Sequence, residues 1–390
     1  MKYELFVGLL FLLSQNNFAQ RCTTVSSTVE SKIYSNTPNL RHGSISIPIV
    51  FHIVYNDEDQ NISDNRILSQ IEVLNSIFDP VQLKLDESIP EEFRYLAENP
   101  KIHFCLASYD PLGNSTTGIV RKKTNISNIA CKKQGTRQYI MDEKLGGSKI
   151  WDPQQYLNIF VGQRDDCPFA EAVFPELATD TNDGIIVDPR FVGINHKNFP
   201  YHRGYTIVHE VGHYLGLHHL TESKTEGDCT KDDMVDDTPL QSVNYFDCPS
   251  YPQISCERSS MFMNYMSLVD DDCMALFTKG QVSRMQNQIG VYRPYFLFYS
   301  CDKTDASYLD QLIIKAENNY WIIADKFDRE WFANMSLFNM QGQLVWEGAN
   351  EGHVFKFVAN ELHNFTAGIY FLEVRWKSER KIFKMALTNY

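Results

Sequence analysis

The chain lacks any apolar run approaching the ~20 residues that span a bilayer, and it has no excess of basic residues. Its formal net charge is −13 at pH 7, a balance that disfavours the phosphates of nucleic acids and anionic lipid surfaces. No internal repeat, heptad run or low-complexity tract is present. Hydrophobic residues make up 43% and charged residues 22% of the sequence, so what remains is an ordinary globular chain able to build a real core. Its 390 residues exceed one average domain and predict a main domain with a smaller appendage.

The start of the chain reads as an address. Apolar residues from Leu5 to Leu13 precede a polar segment ending at Ala19 and Gln20, the pattern of a signal peptide over residues 1–19 and too short for a membrane anchor. A polar stretch from Thr23 to about Asn39 follows, with Pro38 inside it, and residues 20–44 read as a pro-segment. Nine cysteines point to an oxidising, extracellular compartment, and their odd number leaves a thiol for another task. Cys22 is the candidate. The residue before it is Arg21 rather than the small residue that lipid attachment needs, so no lipoprotein is expected.

Next, Ile45 to Tyr55 is β-branched and aromatic and predicts a buried strand beginning after Pro48. Ser63 is placed to cap a helix whose Ile67, Ile71, Leu74 and Phe78 share one face. Further strands are expected at Ile102 to Ala107, Leu157 to Val161 and Gly184 to Val187. Beyond about Tyr295 the texture changes to short β-prone runs, including residues 320–323, 336–338 and 369–374, which predicts a small all-β sandwich.

The strongest signal is His209-Glu210-Val211-Gly212-His213-Tyr214-Leu215-Gly216-Leu217-His218-His219. Two imidazoles four residues apart on a helix project from one face and can bind a single ion. Gly216 is the natural point for that helix to end, since glycine accepts a left-handed backbone. The reversal would deliver His219 as a third ligand and leave the fourth tetrahedral position open, the pattern of catalytic zinc. His218 stands one residue off that spacing. Zinc lowers the pKa of water and polarises a carbonyl, and Glu210 would serve as the general base.

This run resembles the metzincin signature, and residues 45–295 are similar to the pappalysin or cytophagalysin branch of zinc metalloproteases. The resemblance implies an α/β (α+β) catalytic domain with a twisted mixed sheet and a zinc-binding active-site helix. It implies a secreted endopeptidase acting on protein or peptide substrates. Tyr156 to Val161 and Asp183 to Val187 are similar to that branch's core and substrate-lining strands. Asn264-Tyr265-Met266 resembles the turn whose methionine underlies the zinc ligands, whereas Leu268 stands where the family carries a helper tyrosine. Asp272, just before Cys273, matches an acidic position associated with Arg or Lys on the primed side. Cys229, Cys248, Cys256 and Cys273 fall where the family places two disulfides, Cys229 to Cys256 and Cys248 to Cys273; spacing alone leaves three pairings open.

The run from Asp232 to Thr238 resembles a calcium-binding segment, with Asp233 and Thr238 at the matched positions, and carboxylates suit that hard cation. Arg21-Cys22-Thr23-Thr24 resembles the opening of pro-segments in which a cysteine thiolate occupies the open zinc position, a chemically sensible latency. By its chemistry Cys22 could equally pair with Cys105, Cys131, Cys167 or Cys301. Residues 300–390, with Asn339 to Val345 and Ala367 to Leu372, resemble the sorting domain of the type IX secretion system, which would make that machinery a partner and place the protein at the surface of a Gram-negative cell. Two alternatives remain open here: a metzincin-fold adhesin with weakened catalysis, and a zinc hydrolase of a non-peptide amide.

Overall fold

The computed structural model describes residues 21–22, 45–79, 88–112, 114–135, 137–222, 227–297, 299, 301, 312–317, 320–325, 331–352, 354–358, 367–376 and 379–387. The expected signal peptide and nearly all of the expected pro-segment lie outside these residues. No helix among the described residues is long and apolar enough to cross a membrane.

Six strands form the main sheet: β1 (Ile45–Tyr55), β2 (Ile102–Leu106), β3 (Ile119–Lys123), β4 (Leu157–Val161), β5 (Ala170–Ala172) and β6 (Ile185–Val187). The order is β2-β1-β4-β6-β5, with β3 pairing the second half of β1. All pairs are parallel except β5 with β6, so the sheet is mixed. β1 is central and buried on both faces, which is why it reads as a continuous apolar run rather than an alternating one. Its odd residues, with Phe51 and Ile159, share one face with the helices. Val54, Phe160 and Ile186 fill the other, under Ile129, Ile140 and Met141.

The strand begins at Ile45, three residues before Pro48 and earlier than the proline suggested. Ile45 and Phe51 donate their N–H groups toward Lys101 and Gly118, on the β2 and β3 side. The even-numbered Pro48 therefore faces β4, whose register starts only at Ile49 opposite Leu157. No ladder bond is lost.

Helix α1 (Asp64–Phe78) is capped by Ser63, whose side chain accepts from the Arg66 N–H. Helix α2 (Tyr205–Tyr214) lays Ile207, Val208 and Val211 on the same core. Helix α3 (Lys279–Tyr292) starts with a reciprocal capping box between Thr278 and Gln281 and adds Val282, Met285 and Ile289.

The C-terminal region is all β. Strands β7 (Leu312–Glu317), β8 (Tyr320–Asp325) and β11 (Val354–Val358) make one antiparallel sheet, and β9 (Trp331–Asn339), β10 (Leu344–Gly352), β12 (Gly368–Trp376) and β13 (Glu379–Leu387) make another. Leu312 and Ile323 from the first meet Met335, Leu337, Leu372, Val374 and Phe383 from the second, the two-layer arrangement of a sandwich. Four disulfides, Cys105–Cys301, Cys131–Cys167, Cys229–Cys256 and Cys248–Cys273, account for every cysteine except Cys22. The two pairings implied by resemblance are both among them.

Candidate metal centre

Helix α2 carries His209, Glu210 and His213, all fully buried. It stops where expected: Gly216 has φ +87°, a conformation that a Cβ would strain, and the chain doubles back to bring in His219. The Nε2 atoms of His209 and His213 lie 3.1 Å apart, with that of His219 at 3.1 and 3.0 Å from them. The far sides of two rings are anchored. His209 Nδ1 donates to the Tyr265 carbonyl at 2.8 Å and His213 Nδ1 to the Leu217 carbonyl at 2.7 Å. A carbonyl only accepts, so in each neutral ring the proton sits on Nδ1 and the Nε2 lone pair faces inward.

Burial first, and then the neighbouring imidazoles, push His209 and His213 well below the usual histidine range. His219 is lowered to about 4, mainly by burial, with the nearby Glu222 carboxylate opposing. The inward lone pairs of His209 and His213, with His219 Nε2 at 3.1 and 3.0 Å from them, form a donor set suited to a divalent ion. His209, His213 and His219 thus fit zinc. His218 points elsewhere: its Nδ1 is 3.7 Å from Glu222 and its ring lies against Phe174.

Met266 lies beneath the ligand helix with no exposed surface. A Cβ on Gly212 would stand 2.3 Å from its Sδ, so the glycine in the motif makes room for the methionine. The turn is held by Asn264, whose Oδ1 accepts the Met266 N–H at 2.9 Å and whose amide exchanges two hydrogen bonds with Gln281 of α3. Leu268 is buried and offers no hydrogen-bond donor from its side chain.

Cys22 comes to the same place. Its Sγ and the three histidine nitrogens all lie within 4.8 Å of one another, held by a parallel bridge between Cys22 and Ala170 of edge strand β5 and by the Ala170 N–H donating to the Arg21 carbonyl. Arg21 is 2% exposed. Its guanidinium pairs with Asp271, donates to the Val269 carbonyl at 3.1 Å and lies 4.3 Å from the Tyr201 ring centre. The acidic residue buried here is Asp271, one position before the Asp272 singled out from sequence. Asp272 is exposed and pairs with Arg203 and His202.

In the acidic loop Asp233 is buried, and Oδ1 accepts from Thr238 Oγ1 at 2.7 Å and the Val235 N–H at 3.2 Å. Burial, opposed by these hydrogen bonds, raises its carboxyl to about 7. Its Oδ2 has no hydrogen-bond partner among the described residues. Asp237 takes another task, accepting from Thr278 Oγ1 and the Gly280 N–H at the start of α3.

Sequence reasoning missed Glu222, Phe174, Tyr201 and Asp271. Glu222, whose carboxylate accepts the His219 N–H at 3.0 Å, lies three residues past the motif and could have been weighed. Tyr201 is brought near Arg21 only by the fold.

Comparison with known proteins agrees with this geometry. The Peptidase_M43 family model, described as pregnancy-associated plasma protein-A, matches residues 141–290. An extracellular metalloprotease of Arthroderma gypseum is 27% identical over 302 residues, covering 73% of this chain and 89% of the relative; another from Arthroderma otae is 38% identical over 138 residues, 35% of this chain and 49% of that relative. Among solved structures, a Tannerella forsythia promirolysin mutant superposes with a TM-score of 0.60 at 36% identity, covering 66% of this chain and 85% of that one. Mature mirolysin in complex with a cleaved peptide gives 0.58 at 36% identity, covering 65% and 98%. Identity at that level across most of a solved relative, together with the family match, means that this chain belongs to the pregnancy-associated plasma protein-A family and is a zinc metalloendopeptidase.

Proposed function

We propose that the protein is a secreted endopeptidase that cleaves peptide bonds in proteins, with His209, His213 and His219 holding zinc and Glu210 as general base. The observation that carries this is the convergence of three Nε2 atoms at 3.0–3.1 Å beside a buried carboxylate on the same helix. Zinc, when bound, supplies a Lewis acid that activates water and polarises the scissile carbonyl. Glu210 takes the proton released on attack and returns it to the departing amine nitrogen. Met266 and the Tyr265 and Leu217 carbonyls keep the ligand rings in place. Leu268 supplies no oxyanion donor, the one feature that favours a catalytically weakened binding protein.

On this reading the buried Asp271, rather than Asp272, receives an Arg or Lys side chain on the primed side, and Arg21 of the leader occupies that place in the precursor. Cys22 beside the histidines holds the precursor latent. Asp233 and Thr238 belong to a calcium site, a role that the bare Oδ2 supports. Residues 1–19 and 20–44 are signal peptide and pro-segment, 45–295 the catalytic domain, and 300–390 a sorting domain read by the type IX secretion machinery of a Gram-negative cell.

Cleavage of a peptide library by the processed, zinc-loaded protein tests this. Glu210→Ala is expected to keep zinc and lose cleavage by ~10²-fold or more, and Asp271→Asn to lower kcat/KM on peptides with a basic primed residue by roughly tenfold or more, leaving apolar ones little changed. Undiminished cleavage by Glu210→Ala would remove the general-base assignment; an unaltered preference in Asp271→Asn would remove the pocket.

A further inference from the structure

One patch on the outer face of the four-stranded C-terminal sheet is not built for water. In a two-layer sandwich the residues that alternate with the core positions face outward and are normally polar. On β12 the core takes Tyr370, Leu372 and Val374, so Ile369, Phe371, Glu373 and Arg375 face the other way. Phe371 pairs in register with Phe338 of β9. Yet Phe338 is 0% exposed, Phe371 2% and Glu373 0%.

What covers them belongs to the catalytic region. Phe338 and Phe371 cluster with Tyr295 and Leu297, together with Ile369 and Ile382. Tyr295 and Leu297 also pack against the main catalytic core, into which Phe296 between them is fully sunk. The 3-10 turn Pro294–Leu297 therefore bridges two hydrophobic cores. A buried carboxylate on the same face is also paired. Glu373 is paired by Arg375 and lies 4.0 Å from Arg380. The turn itself is fixed from behind, because Cys301 is bonded to Cys105 in β2.

We propose that this sheet face is a dedicated docking surface for the 294–297 turn, so that the C-terminal sandwich rides on the catalytic domain as one body and stays bound without a covalent link. The reasoning is one of desolvation. Separating the two would expose two phenylalanines and a leucine to water, and the contact is apolar at its centre, as in a stable protein interface. This is independent of what the sandwich is for.

The test uses the full chain with a recognition sequence for a site-specific protease inserted between residues 301 and 312. All four disulfides join cysteines on the N-terminal side of that insertion, so a complete cut leaves no covalent tie. The cut protein is expected to elute as one peak in size-exclusion chromatography at micromolar concentration. Phe371→Asp on the sandwich and Leu297→Asp on the turn are each expected to split that peak, weakening association roughly tenfold or more. Circular dichroism of the separated pieces verifies that each remains folded. Two peaks from the cut wild-type chain, or a single peak from both cut variants, overturns the docking surface.

Discussion

Cys22 and Arg21 make the most consequential pair of side chains in the molecule after the histidines. On the proposed reading, a thiol within 4.8 Å of three imidazole nitrogens would take the position that water needs, and the buried Arg21–Asp271 pair fixes the chain that carries it. Serine at position 22 removes the sulfur and leaves the rest of the contact intact. If closure by the thiol is worth ~1.4–3 kcal/mol, Cys22→Ser should raise the unprocessed protein's activity on a short peptide by roughly 10- to 100-fold. The measurement is an initial rate taken before any N-terminal processing appears on a gel, and an unchanged rate would show that Cys22 does not close the site. The gathering of His209, His213 and His219 was legible from sequence because a helix and the turn that ends it convert spacing into geometry directly. Asp271 was not. Three consecutive aspartates, Asp270 to Asp272, carry no signal saying which one turns inward, and that choice depends on Arg21 arriving from about 250 residues away.

At the scale of elements, the ligand helix and the methionine turn act as one unit. Gly212 exists in the motif for packing: a methyl group there would meet Met266 Sδ at 2.3 Å, well inside van der Waals contact. Alanine would gain about 1 kcal/mol of helix propensity and lose roughly 1–3 kcal/mol to overpacking, so the global stability of Gly212→Ala should change little. The displaced methionine lies directly under the helix that carries His209 and His213. Zinc affinity is therefore expected to fall roughly tenfold or more while Tm moves by only a few degrees, as read by competitive metal titration beside thermal denaturation. Unaltered zinc affinity would mean that the methionine merely fills space. The helix ends, the strands at Leu157 and Ile185 and the α1 cap were readable from local rules. The short β3 and β5 were not, because a three-residue strand such as Ala170–Ala172 has no periodicity to detect, although β5 is the edge on which Cys22 rests.

For the whole molecule, the sheet is covered on both faces, and the face away from the zinc helix holds a buried histidine. His52 lies between Ser148 Oγ at 2.8 Å and Asn158 Oδ1 at 3.1 Å and stacks on Phe160 at 4.3 Å. Burial, only partly offset by the Asn158 hydrogen bond, lowers its pKa to about 4. The unfolded chain takes up that proton near pH 6.5 and the folded one only near 4. Stability is therefore fully present above about 6.5 and is lost as pH falls through that window, by up to about 3 kcal/mol. His52→Gln, which cannot titrate, should flatten the fall in Tm of the zinc-loaded protein between pH 6.5 and 4. An equal slope in both proteins would place the proton uptake elsewhere. By itself the sequence determined the class of fold and the metalloprotease chemistry, and it pointed to the candidate ligands and base, through spacings of a few residues that a helix or strand translates without further help. The tertiary structure alone decided which aspartate is buried, which thiol reaches the histidines and which face of the C-terminal sheet is covered, because each depends on contacts between segments distant in the chain, and no local periodicity records those.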